Sequence, residues 1–331
     1  MLSAHPTRTQ TPFHPHRACD HRSLAALSVA KPNASTYTGL TSRLSAATIS
    51  TIIPSMKLAY SSNAYRRFSA AEAIERIAGV GYEGMELMAD VPHAWPAGLA
   101  DAQIDDIRRG LDKHNLVLSN INAFMMNAVQ DFWHPSWIEK DESFRRLRVR
   151  HTIASLRLAK KLGAKCITTE PGGPLPEGMS RAHAMDLFVD GLKESLQRAE
   201  DDGVLLLVEP EPGLLIENAG QFEELAARID SPMFGLNFDV GHFFCVRDPL
   251  PETVERLKKW TRHYHFEDIA ASRVHEHLVP GRGAIDFDAL IAALRRTGYD
   301  GWLTVELYPY LDDPDAAGRE ALDFLRKCLS R

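Results

Sequence analysis

Four residues of cation-binding type stand at comparable places in the sequence. Glu209 closes the apolar run 205–209, Asp239 closes 235–239, His265 lies near the end of 263–266, and Glu306 lies near the end of 302–307. Three carboxylates brought together would repel one another and lose hydration unless a cation neutralised them. Three oxygen donors and one imidazole suit Mn²⁺, Mg²⁺ or Co²⁺ with positions left open for a substrate, better than they suit a closed tetrahedral zinc site. Other short apolar runs end in Glu86, Asn122, Glu170 and Glu267, and His242 follows Asp239 by three residues. Any one of these alone is an ordinary strand terminus facing solvent. Four consecutive strands ending in Glu, Asp, His and Glu form a set.

Such a set needs a scaffold that brings strand ends together. From Lys57 onward, strand-like runs at 58–62, 84–88, 117–123, 166–170, 205–209, 235–239, 263–266 and 302–307 alternate with helical patterns. The helical patterns cover 70–78, 101–114, 144–162, 181–199, 219–229, 252–259, 287–296 and 314–329. Alternating strands and helices imply βα units around a parallel sheet. Gly79, Gly81, Gly163, Gly203 and Gly298 stand where helix ends need positive φ. Eight alternations in this length fit one closed (β/α)8 TIM barrel, an α/β fold whose sites gather at the C-terminal strand ends. The competing open, doubly wound sheet would carry GxGxxG after the first strand, and none is present.

The 331 residues are 44% hydrophobic and 25% charged, ordinary for a globular chain, with a formal charge of -6 that opposes general nucleic-acid binding. No apolar run reaches the roughly 18 residues of a membrane span, so no membrane partner is expected. Cys19, Cys166, Cys245 and Cys328 form no CxxC pair, which points away from a zinc knuckle or disulfide framework and towards a reducing, cytoplasmic setting. Residues 1–55 are rich in Ser, Thr and His and hold one acid, Asp20. They read as a disordered extension, either a start assigned upstream of Met56 or a transit segment for an organelle. The barrel is expected over 56–331.

The chain resembles the xylose-isomerase-like barrel superfamily, which includes sugar-phosphate isomerases, ketose 3-epimerases, inosose dehydratases and endonuclease IV. The segments that carry the resemblance are Leu-Val-Glu-Pro at 207–210, Asn-Phe-Asp-Val-Gly-His at 237–242, His-Tyr-His-Phe-Glu-Asp at 263–268, Val-Pro-Gly-Arg-Gly-Ala-Ile-Asp-Phe at 279–287 and Thr-Val-Glu-Leu at 304–307. The resemblance implies one divalent ion, Mn²⁺ first and Mg²⁺, Co²⁺ or Zn²⁺ as alternatives. It implies that Glu209 and Glu306 are ligands that also carry protons, and that Asp239 and His265 are ligands only. His242, His277, Arg282, Glu86, Asn122 and Trp133 are then expected around a small polyhydroxy substrate. The pair His275 and His277 resembles an endonuclease IV zinc segment. The histidines which that enzyme supplies from strands two and three are replaced here by Glu86 and Asn122, so a single ion is expected.

The loop after the third strand is rich in aromatic residues, from Phe124 through Trp133 and His134 to Trp137. It is expected to be a lid over the mouth or a contact in a homodimer. The leading expectation is an isomerase or epimerase of a small sugar, keto-sugar or cyclic polyol. A dehydratase of an inosose-like substrate, a phosphodiesterase acting on DNA, and a non-catalytic barrel are the alternatives.

Overall fold

The computed structural model describes residues 56–124, 127–129, 131 and 133–331. The expected disorder of 1–55, and Met125, Met126 and Phe132 of the aromatic loop, lie outside the described residues. In chain order the elements are β1 (Lys57–Ser61), a 3-10 turn (Ser62–Tyr65), α1 (Ala70–Val80), β2 (Gly84–Met88), α2 (Asp101–His114), β3 (Val117–Asn122), α3 (Glu142–Leu162) and β4 (Cys166–Thr169). They continue as α4 (Arg181–Asp202), β5 (Leu205–Val208), α5 (Ala219–Ala226), β6 (Phe234–Asp239), α6 (Val240–Cys245) and α7 (Leu250–Leu257). The last are β7 (Thr261–Phe266), α8 (Phe287–Thr297), β8 (Trp302–Val305) and α9 (Pro314–Leu329). The strands pair in parallel in sequence order, and β8 returns to β1, closing the barrel.

Local signals account for the boundaries. Ser69 and Glu72 form a reciprocal capping box at the start of α1, and Gly81, Gly163, Gly203 and Gly298 end helices in the left-handed region, with φ from 66° to 106°. Gly79, also expected as a cap, lies inside α1. Two short elements have no counterpart in the sequence reading, the 3-10 turn and α6.

Strand alternation sorts the side chains into two environments. Tyr60, Ile121, Leu206, Leu236 and Leu303 are buried in the apolar core that the helices cover. Tyr60 reaches α9, where its hydroxyl donates to the Pro314 carbonyl at 3.0 Å. Gly318 allows that approach, because a Cβ there would lie 2.3 Å from the ring. Among the intervening residues, several are polar and bond to one another across the bore. Ser119 and Thr304 hydroxyls lie 3.0 Å apart, and Asn120 Nδ2 donates to Thr168 Oγ1 at 2.7 Å. This polar bore is the floor of the candidate site. Among the described residues no helix is long and apolar enough to cross a membrane.

Candidate metal centre

Glu209, Asp239, His265 and Glu306 come together at the C-terminal ends of β5 to β8. One ligand atom from each lies within 4.8 Å of the others, and all four residues are buried. Glu209 and Glu306 stand one residue past their strands and continue the ladder through Glu209 N–H to Thr169 O at 3.2 Å and Glu306 N–H to Phe266 O at 3.1 Å. Burial raises the carboxyls of Glu209, Asp239 and Glu306, and neighbouring carboxylates add to the rise at Glu209 and Glu306. Such a group is costly unless a cation occupies it.

The donor set fits a divalent ion on a specific observation at Asp239. Its Oδ1 accepts the His242 backbone N–H at 2.7 Å and caps α6, which explains the Asp-x-x-His spacing. Its Oδ2 is buried without a hydrogen-bond partner. One oxygen builds the local fold, and the other faces the group without a proton donor. Behind it, burial and the Asp239 charge push the Glu267 carboxyl well up.

His265 is oriented from the other side of the barrel. Its Nδ1 faces Glu209 Oε1 at 2.9 Å, and its Nε2 meets Glu86 Oε2 at 2.7 Å. Glu86 also accepts from Ser61 Oγ and Asn120 Nδ2, each at 2.7 Å. Burial alone would raise the Glu86 carboxyl, but His265 and His263 outweigh it and hold Glu86 down at about 2. An ionised Glu86 at Nε2 selects the tautomer that leaves the Nδ1 lone pair for a metal. The sequence placed Glu86 among the substrate contacts. The structure instead puts it in the middle of β2, fully buried under the imidazole and bonded to it.

Above the group opens a narrow cleft of about 40 Å³. Glu209 and Glu306 line it, whereas Asp239 and His265 do not. Asn122 lines the wall, and its Nδ2 lies 3.4 Å from Glu306 Oε1, which also accepts from Asn63 Nδ2 at 2.8 Å. His242 lines the wall too, with Nδ1 held by the Pro210 carbonyl at 2.9 Å. Sequence reasoning missed two further wall residues, Glu211 and Tyr308, and noted the third, His275, only as the neighbour of His277 in a zinc-type segment. Glu211 was legible as a second acid in Glu-Pro-Glu-Pro at 209–212.

Two other expected contacts sit differently. His277 is buried behind the wall, with Nδ1 3.0 Å from the Glu306 carbonyl and Nε2 3.1 Å from His275 Nε2. Ring nitrogens of His242, His275 and His277 form a further compact group. Arg282 is not brought to the site, because its exposed guanidinium pairs with Glu320 of α9. The reason lies in its turn, where Asp268 accepts the N–H groups of Gly281 at 2.9 Å and Gly283 at 2.8 Å, so that backbone points inward.

The aromatic loop contributes unequally. Phe124 lines the cleft, and the Trp133 indole N–H donates to Glu211 Oε1 at 3.4 Å. His134 turns instead to Glu139, 2.7 Å away. Trp137 is fully buried and donates to Thr169 Oγ1 at 3.2 Å, as a peg in the core. Buried Arg148 clasps the loop by donating to the carbonyls of Pro135, Ala123 and Phe124 at 3.0, 3.0 and 2.7 Å.

A closed eight-stranded parallel barrel with carboxylates and an imidazole converging on its C-terminal mouth defines a class. The profile of the xylose isomerase-like TIM barrel matches residues 74–328, and the chain belongs to that family. Among curated relatives, fructoselysine 3-epimerase of Escherichia coli O157:H7 is 24% identical over 282 residues, covering 80% of this chain and 95% of the relative. Inosose dehydratase of Clostridium beijerinckii is 22% identical over 264 residues, covering 71% of this chain and 80% of the relative. Among solved structures, a D-tagatose 3-epimerase-like protein superposes with a TM-score of 0.72 at 24% identity, covering 83% of this chain and 97% of the other. The IolI protein with a bound zinc atom superposes with a TM-score of 0.69 at 22% identity, over 83% of this chain and 98% of that one.

Proposed function

We propose that this chain is a metal-dependent epimerase or isomerase of a small sugar, keto-sugar or cyclic polyol, with Glu209 and Glu306 as its proton carriers. The observation that carries the reading is the division within the group of four. Glu209 and Glu306 reach the cleft, while Asp239 and His265 stay beneath it. The names of the epimerase and dehydratase relatives support the same chemistry.

A divalent ion bound by Glu209, Asp239, His265 and Glu306 would polarise a substrate carbonyl and stabilise the enediolate that proton removal leaves. Mn²⁺ is the first expectation for that ion, and the IolI neighbour's zinc supports a divalent metal without fixing its identity. The chain supplies the proton traffic. One glutamate takes the proton from the carbon beside the carbonyl, and the other returns a proton to the opposite face. Asn237 Nδ2 holds Glu209 Oε2 at 2.8 Å, and Asn63 Nδ2 holds Glu306 Oε1. Each carboxylate therefore keeps one oxygen fixed. Burial raises both carboxyls above their ordinary value. Phe124 lines the cleft, and the Trp133 indole is bonded to Glu211 on its wall.

Glu209→Gln and Glu306→Gln should each abolish exchange of the substrate α-proton with solvent deuterium, read by proton NMR. Full exchange retained in either variant would sink the mechanism. The dehydratase reading uses the same enediolate and adds expulsion of a β-hydroxyl, with His275 and Tyr308 on the wall as groups able to protonate it. An inosose converted to a diketone chromophore would establish that outcome.

A further inference from the structure

Glu211 is a buried acid in the cleft that the proton chemistry does not use. It stands two residues beyond Glu209, is 7% exposed and lines the same wall. Its loop is tightly built. The Glu211 N–H donates to Ile216 O at 3.0 Å, and its carbonyl accepts from Leu214 N–H at 3.2 Å. The loop is pinned to the one after β4 by Leu215 N–H to Gly173 O at 3.0 Å and Ile216 N–H to Pro171 O at 3.2 Å. The backbone cannot swing this carboxyl out of the cleft without breaking those bonds.

The two oxygens of Glu211 have different surroundings. Oε1 accepts the indole N–H of Trp133, a residue 41% exposed on the loop after β3. Oε2 takes no hydrogen bond from the described residues. An oxygen left open on a cleft wall is a place for a ligand hydroxyl.

The rest of the lining fixes what kind of ligand fits. The ionisable residues on the walls are Glu209, Glu211, Glu306, His242, His275 and Tyr308, with no lysine or arginine among them. Arg282, the one arginine expected at the site from sequence, is tied to Glu320 on the surface. A phosphate or carboxylate placed here would be desolvated beside acids, and the nearby Arg66 guanidinium does not line the cleft but donates from Nη2 to the Tyr308 carbonyl at 3.4 Å.

We propose that Glu211, held by Trp133, is the specificity-determining residue of this site. It takes substrate hydroxyl groups on the cleft wall and confines the site to uncharged polyhydroxy compounds, excluding sugar phosphates and sugar acids. The inference rests on the sugar reading above. It adds the residue that selects the substrate and the charge that the substrate must lack.

The test is calorimetric titration of the Mn²⁺-loaded protein with a neutral 2-ketohexose and with the 6-phosphate of the same sugar. The neutral sugar should bind at least about tenfold more tightly. Glu211→Gln should weaken the neutral sugar by about five- to tenfold and narrow the ratio, and Trp133→Phe should shift it the same way by less. Bound manganese, measured by mass spectrometry, should stay at the wild-type level in both variants, which separates lost recognition from a collapsed site. Equal or tighter binding of the phosphate ester overturns the inference. So does failure of the neutral sugar to bind, or a ratio that Glu211→Gln leaves unchanged. Selective binding without α-proton exchange would keep this inference and remove the catalytic reading; exchange with a flat ratio would do the reverse.

Discussion

The side chains around His265 show why residue type and position alone do not give role. Glu209, Asp239, His265 and Glu306 were legible as a set, because four neighbouring strands end in ligand types. Glu86 gave the same local signal, an acid in a short apolar run, yet its partner lies across the bore, 179 residues away in sequence. Glu86→Gln should weaken metal binding by about 10- to 100-fold, the usual effect of removing the carboxylate behind a metal-binding imidazole, and competition with a chromophoric chelator would measure it. Two histidines away from the group set a pH limit. Burial lowers His93 to about 4 and His151 to about 3. The folded chain keeps both neutral, while the unfolded chain protonates below about 6.5. Stability is therefore fully present above about pH 6.5 and is lost as pH falls towards 4, by up to about 1.4 kcal/mol per pH unit for each histidine. Melting temperatures between pH 7 and 4.5 should show this slope. His151→Phe, which can keep the stack on Trp95, should make it shallower.

Among elements, the strands were the most legible, since each apolar run is bounded by turn residues, and β2 matches its expected range at both ends. The short elements were not. Val240–Cys245 is six residues long, too short for a helical period, and it exists because Asp239 caps it. The 3-10 turn after β1 places Asn63 against Glu306, a contact that no local pattern encodes. The loop after β3 was legible as aromatic and mouth-facing, but its anchor was not, because Arg148 reads as one more charge on a helix. It is fully buried, with Glu170 Oε1 3.8 Å away. Arg148→Met should remove three bonds to loop carbonyls and strand Glu170 as a buried acid, costing about 3–5 kcal/mol. Urea unfolding would give the loss. Limited proteolysis should show the loop cut sooner than in the parent protein.

For the whole molecule, the site and the fold share one energy. If the clustered carboxylates bind a cation only in the folded state, metal at a hundred times its Kd adds about 2.7 kcal/mol of stability. Thermal unfolding should therefore rise with added Mn²⁺ and fall with a chelator. Asp239→Asn should cancel the response, since asparagine can still cap α6 but brings no charge; a full response in that variant would remove Asp239 from the ligand set. Barrel closure was legible from eight alternating units, whereas the polar wiring of its bore depends on register, which a single sequence does not print. That closure has a consequence for biosynthesis. Asn63 and the Glu306 that it holds are 243 residues apart. A chain emerging from the ribosome exposes Glu209 and Asp239 as separate, hydrated acids until β8 pairs with β1 and brings the last donor. If the four donors hold an ion, its tight capture would wait for that final strand.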